Sequence, residues 1–139
     1  MEGPKFKLIS QNIASSHRLE RITDVLKREK PDLFLIQEVT VSTIQLQAAI
    51  EPFMYKCESN TDNENPSAPG TAAIWKINLP TPQVTNLVSC NLQTVSIGPH
   101  YFYNVYAPSG SENRRDRALL FTRDIFPHLL QHQKEHRPT

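Results

Sequence analysis

Residues 33–36, Leu-Phe-Leu-Ile, form a continuous apolar run that opens just after Pro31 and ends on Gln37 and Glu38. Such a run marks a strand buried on both faces, so whatever this chain builds must cover both sides of it. The cover is written nearby. Leu19, Ile22, Val25 and Leu26 recur at three- and four-residue spacing among Arg18, Glu20, Arg21, Lys27 and Arg28, which predicts an amphipathic helix stopped by Pro31. Residues 6–11 alternate as a strand ending at Asn12, with Ser15 and Ser16 offered as caps for that helix. Strand, helix and strand in this order read as a crossover unit of a mixed α/β domain.

Ser42 with Gln45 predicts a capping box for a second helix through Leu46 and Ile50, ended by Pro52. Strands are then expected at residues 53–58, 71–75, 84–89, 92–97 and 101–106, separated by Pro, Asn or Gly and paired antiparallel. Residues 59–70 are too polar to pack and read as a surface loop. A last helix, capped by Ser111, carries Leu119, Leu120, Ile125, Phe126, Leu129 and Leu130 on its apolar side, and Pro127 should kink or divide it.

The 139 residues suit one domain. Hydrophobic and charged fractions of 38% and 21% exclude disorder, collagen and a bare coiled coil. No apolar run approaches the roughly 20 residues that span a bilayer, so no membrane helix is expected. Residues 1–7 carry charge without an apolar core, which does not read as a secretory signal, and an intracellular location is expected. Cys57 and Cys90 fit two buried thiols better than a disulfide framework or a zinc site. The net charge of +1 leaves the partner open, since a balanced total can hide a basic face.

Three polar residues fall at or near strand ends: Asn12, Glu38 and Tyr106. Strand ends gather ligand groups because the sheet holds them rigid while the loops stay open. Glu38, leaving a fully apolar strand, must be solvated, paired or metal-bound, and taken alone the solvated case is the commoner. Asn12 read alone serves equally as a strand-terminal residue bonding its own backbone, and Tyr106 as a core tyrosine beside Tyr101 and Tyr103. His128, His132 and His136 share four-residue spacing but have no interleaved carboxylate or cysteine, so they read as solvated helix surface. Arg114, Arg115 and Arg117 read either as a solvated face with ion pairs or as contacts to a phosphate backbone.

Taken together, Leu8-Ile9-Ser10-Gln11-Asn12-Ile13, His17-Arg18-Leu19, Lys30-Pro31-Asp32, Ile36-Gln37-Glu38, Gly70-Thr71-Ala72-Ala73-Ile74 and Asn104-Val105-Tyr106-Ala107-Pro108 stand in a familiar order. The chain resembles the endonuclease/exonuclease/phosphatase superfamily, most closely the endonuclease domain of LINE-type non-LTR retrotransposons. The resemblance implies a two-sheet α/β sandwich of the DNase I-like type with helices outside. It also implies a Mg²⁺-dependent (or Mn²⁺-dependent) phosphodiesterase that nicks DNA by attack of water on a backbone phosphate. On that reading Glu38 is a metal ligand, Asn12 orients the phosphate or a metal-bound water, and the Tyr106 hydroxyl donates to the scissile phosphate. The expected partners are the DNA backbone and, in a longer protein, a reverse transcriptase, with a nuclear location.

The sequence also departs from the family. Residues 1–139 are expected to cover roughly the first half of the domain, ending before an Asp-x-Asn motif and a Ser-Asp-His motif that supply the base and its partners. Loss of a general base typically costs 10²- to 10⁴-fold, so little turnover is expected of this chain by itself. One Glu with one Asn should hold Mg²⁺ weakly. An exposed inner face and an unpaired edge should favour self-association. Two other readings stay open: another superfamily phosphoesterase acting on abasic DNA, RNA ends or phosphorylated lipids and inositols, and a non-catalytic relic or interaction module.

Overall fold

In the computed structural model the described residues are 6–13, 17–60, 70–88, 92–107 and 113–135. They divide into two compact units, Met1–Tyr106 and Ala107–Thr139. The expected caps Ser15, Ser16 and Ser111, most of the polar 59–70 stretch, Cys90, Pro108 and His136 lie outside the described residues.

The first unit opens with β1 (Leu8–Asn12), α1 (Arg18–Glu29) and β2 (Leu33–Val39). β1 and β2 pair in parallel, from Leu8 opposite Leu33 to Asn12 opposite Gln37, as the crossover pattern requires. The first strand ends at Asn12 as expected but begins later than its alternation predicted, because Lys7 is occupied outside the ladder, its N–H donating to Asp32 at 2.7 Å. Lys30 closes α1 in a left-handed conformation (φ 48°), one residue before Pro31. α2 (Thr43–Ile50) starts at Ser42 with the full capping box, an arrangement that typically contributes about 1 kcal/mol. A short 3₁₀ turn, Glu51–Phe53, leads into β3 (Tyr55–Asn60), which pairs antiparallel with β4 (Gly70–Lys76).

β1, β2, β4 and β3 form one sheet in that order. β5 (Gln83–Val88), β6 (Leu92–Ile97) and β7 (His100–Val105) form a second, antiparallel sheet. β2 explains its own composition. Phe34 and Ile36 pack with Ile22, Leu26, Leu46 and Ile50 of the helices, while Leu33 and Leu35 pack with Trp75, Val95 and Ile97 between the sheets. One strand therefore serves two cores, and alternation disappears from its sequence.

The outer edge of β3 is closed by a side chain. Gln47 of α2 donates to the Tyr55 carbonyl at 3.2 Å and accepts from the Cys57 N–H at 3.2 Å, standing in for a neighbouring strand. Cys57 is half-buried there, and burial, with a smaller push from Glu58, raises its thiol to about 11 from an ordinary 9.0. A folded value above the unfolded one stabilises the fold fully below the unfolded value, and that contribution is lost as pH rises through the folded one. Alkylation of Cys57 by iodoacetamide at pH 8 is therefore expected to run roughly 100-fold slower in the native chain than in urea, read by peptide mass spectrometry. Equal rates would show that the thiol is not shielded.

The second unit holds α3 (Arg114–Leu119), a π-helical stretch (Leu120–Ile125) and α4 (Phe126–Glu135). Pro127 does not divide this helical run. Phe126 bonds the Phe121 carbonyl, five residues back, so the spacing has already widened where the proline lacks its N–H. The widened turn also corrects the expected apolar face. Leu120 and Ile125, five apart, are buried, whereas Phe126 and Leu130 are 50% and 66% exposed. Among the described residues no helix is long and apolar enough to cross a membrane.

Candidate active site

Glu38 does not continue the pleat of β2. Its φ is 58°, and the register with β4 slips between Gln37, opposite Thr71, and Val39, opposite Gly70. The slip is a bulge of one residue. In a regular strand Glu38 would share a face with Phe34 and Ile36 and enter the helix-side core, which a carboxylate cannot do without a partner. The extra residue lets Val39 take that core position and leaves Glu38 half-buried at the strand end. Left-handed backbone costs a non-glycine residue about 1 kcal/mol, so something must hold it. Arg18, the first residue of α1, donates its Nε to the Glu38 carbonyl at 3.3 Å.

Tyr106 follows directly on β7, and its phenol lies close enough to the Glu38 carboxylate to feel its charge. Burial first, then the Glu38 carboxylate, raises the phenol above its usual value. The hydroxyl therefore keeps its proton at neutral pH and acts as a donor. Asn12, exposed at the end of β1, lies opposite Gln37 in register, one residue short of Glu38. The carboxyl ends of β1, β2 and β7 thus bring the three expected strand-end residues to one end of the sandwich.

A row of carboxamides, buried at its centre and unforeseen from the sequence, fixes this end. Asn86, Gln93 and Asn104 lie directly opposite one another across β5, β6 and β7. Gln37 of the first sheet donates to Asn104 Oδ1 at 2.9 Å and to Ser10 Oγ at 3.0 Å. Asn104 Nδ2 lies 3.1 Å from Gln93 Oε1, 3.0 Å from the Ala72 carbonyl and 3.3 Å from the Ile36 carbonyl. Gln93 in turn donates to Asn86 Oδ1 at 3.1 Å and to the Glu58 carbonyl at 2.9 Å. Asn104 is 1% exposed and Gln93 fully buried, so these bonds replace water entirely. The one available signal was polar residues at inward positions of otherwise apolar strands.

Arg114, Arg115 and Arg117 lie on α3 of the second unit, the first two exposed and the third half-buried. His128 and His132 lie on α4, half-buried. Among the described residues no group of three or more His, Cys, Asp and Glu side chains gathers as a metal site. The donors at the strand ends are the Glu38 carboxylate and the Asn12 amide, both hard oxygen ligands beside solvent. That set fits a largely hydrated Mg²⁺ or Mn²⁺.

No protein-family model and no curated protein matches the chain. Solved structures do. An AP endonuclease from Archaeoglobus fulgidus superposes with a TM-score of 0.71 at 18% identity, over 96% of this chain and 53% of that one. The 3′-5′ exonuclease NExo from Neisseria meningitidis gives 0.68 at 19%, over 91% and 54%. TDP2 from C. elegans gives 0.67 at 20%, over 95% and 44%. The chain spans about half the length of the structures it matches. At these identities the likeness concerns the fold, and the chain has the two-sheet α/β sandwich of the endonuclease/exonuclease/phosphatase, DNase I-like type.

Proposed function

We propose that this chain supplies the Glu38-centred part of a divalent-metal phosphodiesterase acting on a nucleic-acid backbone. The observation that carries the reading is the nearness of the Glu38 carboxylate to the Tyr106 phenol, at the ends of β2 and β7 from two different sheets. A carboxylate and a protonated phenol side by side suit a phosphate: one oxygen donor for a cation, one hydrogen-bond donor for a phosphoryl oxygen. Glu38 and Asn12 would hold the Mg²⁺ or Mn²⁺, which when bound polarises the phosphoryl oxygen and stabilises the leaving oxygen. The Tyr106 hydroxyl donates to a phosphate oxygen as substrate arrives. Asn12 orients that phosphate through its amide. Arg18 holds the Glu38 backbone where the carboxylate can face the substrate.

The finer reading is a DNA-nicking endonuclease domain of a retrotransposon-like protein that also carries a reverse transcriptase. It rests on the ordered motif set from Asn12 to Tyr106 and on the Arg114, Arg115 and Arg117 cluster as a DNA-backbone contact. A second reading has its own support: the matching structures are an AP endonuclease, a 3′-5′ exonuclease and a TDP2, so another phosphoesterase specificity on the same frame is its competitor.

Supercoiled-plasmid nicking with Mg²⁺ or Mn²⁺ tests the proposal. The comparison is between this chain, a form extended through Asp-x-Asn and Ser-Asp-His motifs, and the Glu38→Gln variant of that form. Nicking by the extended form, reduced about 100-fold or more by Glu38→Gln, is expected, since even outer partners of metal ligands cost 10- to 100-fold. Nicking that survives Glu38→Gln would refute the role of Glu38. Activity confined to abasic or end-blocked substrates would favour the second reading.

A further inference from the structure

A groove of about 490 Å³ opens at the other end of β2, against the carboxyl end of α1, the 3₁₀ turn and the segment after β4. β2 rises roughly 3.3 Å per residue, so the groove lies on the order of 20 Å from Glu38 and is a separate place on the first unit. Its walls are apolar: Leu26, Phe53, Met54 and Ile77 line it. Met54 is 63% exposed and Ile77 46%, an unusual outlay of apolar surface beside a concavity. Tyr55 contributes only its ring, because its hydroxyl donates inward to the Pro31 carbonyl at 2.8 Å.

The rim carries one sign of charge. Lys27, Lys30 and Lys76 border the groove. Asp32 is already engaged, by Lys76 at 3.3 Å and by the Lys7 N–H at 2.7 Å. Neither Lys27 nor Lys30 has a salt-bridge partner among the described residues. Both are exposed, so their charge is unspent. The backbone that holds these groups is fixed in an uncommon state: Lys30 and Met54 both have positive φ, 48° and 69°.

We propose that this groove docks an acidic peptide segment of a partner protein, which inserts apolar side chains between Phe53, Met54 and Ile77 while its carboxylates meet Lys27 and Lys30. The volume falls in the range that encloses a few side chains. A thioether at the mouth adapts to varied anchors. A bilayer surface is flat and cannot enter a concave apolar groove. A single-stranded nucleic acid stacks successive bases on several exposed aromatic faces, whereas this groove offers only the half-buried Phe53, Tyr55 being 4% exposed.

The test is fluorescence polarisation with a fluorescein-labelled peptide whose Phe and Leu anchors, spaced four residues apart, are flanked by Asp and Glu. Saturable binding that weakens as salt rises is expected. The double variant Lys27→Glu, Lys30→Glu and the single variant Met54→Asp should each weaken it about 10-fold or more. All three positions are exposed, and circular dichroism confirms that the variants fold. Absence of saturable binding overturns the proposal, as does binding indifferent to both variants. Displacement of the peptide by a single-stranded oligonucleotide, or equal binding of phosphatidylserine vesicles, would assign the groove to another occupant. So would concentration-dependent dimerisation in sedimentation that Met54→Asp abolishes.

Discussion

Replacing Asn104 by leucine is expected to lower stability by about 3 kcal/mol or more. Leucine has the branched outline of asparagine but is larger, so no cavity opens, and lost polar partners with some overpacking set the cost. Asn104 serves the carbonyls of Ile36 and Ala72, the amide oxygen of Gln93 and the amide nitrogen of Gln37. Each buried group left without a partner costs about 1–3 kcal/mol, and water cannot substitute at a residue 1% exposed. Gln37 keeps another acceptor, Ser10, which holds the total below a simple sum. Urea denaturation should therefore show a clearly lowered midpoint for Asn104→Leu. The exposed end of the row is the control: Asn86→Leu should cost less than about 1 kcal/mol. Equal effects at both positions would show that the row does not bind the sheets together.

Glu38→Gly should move stability and function in opposite directions. Glycine adopts a φ of 58° without steric penalty, so the bulge is expected to gain about 1 kcal/mol, seen as a raised urea midpoint. The same change removes the proposed metal-binding carboxylate. Mn²⁺ affinity, followed by electron paramagnetic resonance, should fall about 100-fold or more, and nicking by the extended form with it. Glu38→Gln separates the two effects, keeping the strained backbone and losing only the charge. A glycine variant that is less stable than the parent would show that the Arg18 contact overcompensates the strain.

Much of this architecture was legible in the sequence. The double burial of β2 followed from its unbroken apolar run, and the α2 start from Ser42 and Gln45. The three strand-end residues were legible too, because each stands where an apolar pattern stops. The bulge was not. Nothing in Gln37-Glu38-Val39 announces positive φ, since the residue there is not glycine and the slip depends on which side chain the core accepts. Nor was the carboxamide row legible, because Asn86, Gln93 and Asn104 lie on three strands and meet only through register. The helix face around Leu120 was misjudged for a related reason: a π turn alters the period on which the face was counted.

The carboxamide row has a direction. Gln37 donates to Asn104, Asn104 to Gln93, Gln93 to Asn86, and Asn86 to the Ser59 carbonyl at 3.3 Å. Four amide dipoles are thus aligned head to tail, each polarising the next, and no member can reverse without reversing its neighbours. The oxygen end of this line belongs to Gln37, the residue next to Glu38. That order is independent of pH, because amides do not titrate. The junction that fastens the sheets thus has one polarity, running from Gln37 beside the strand end to the far edge of the second sheet.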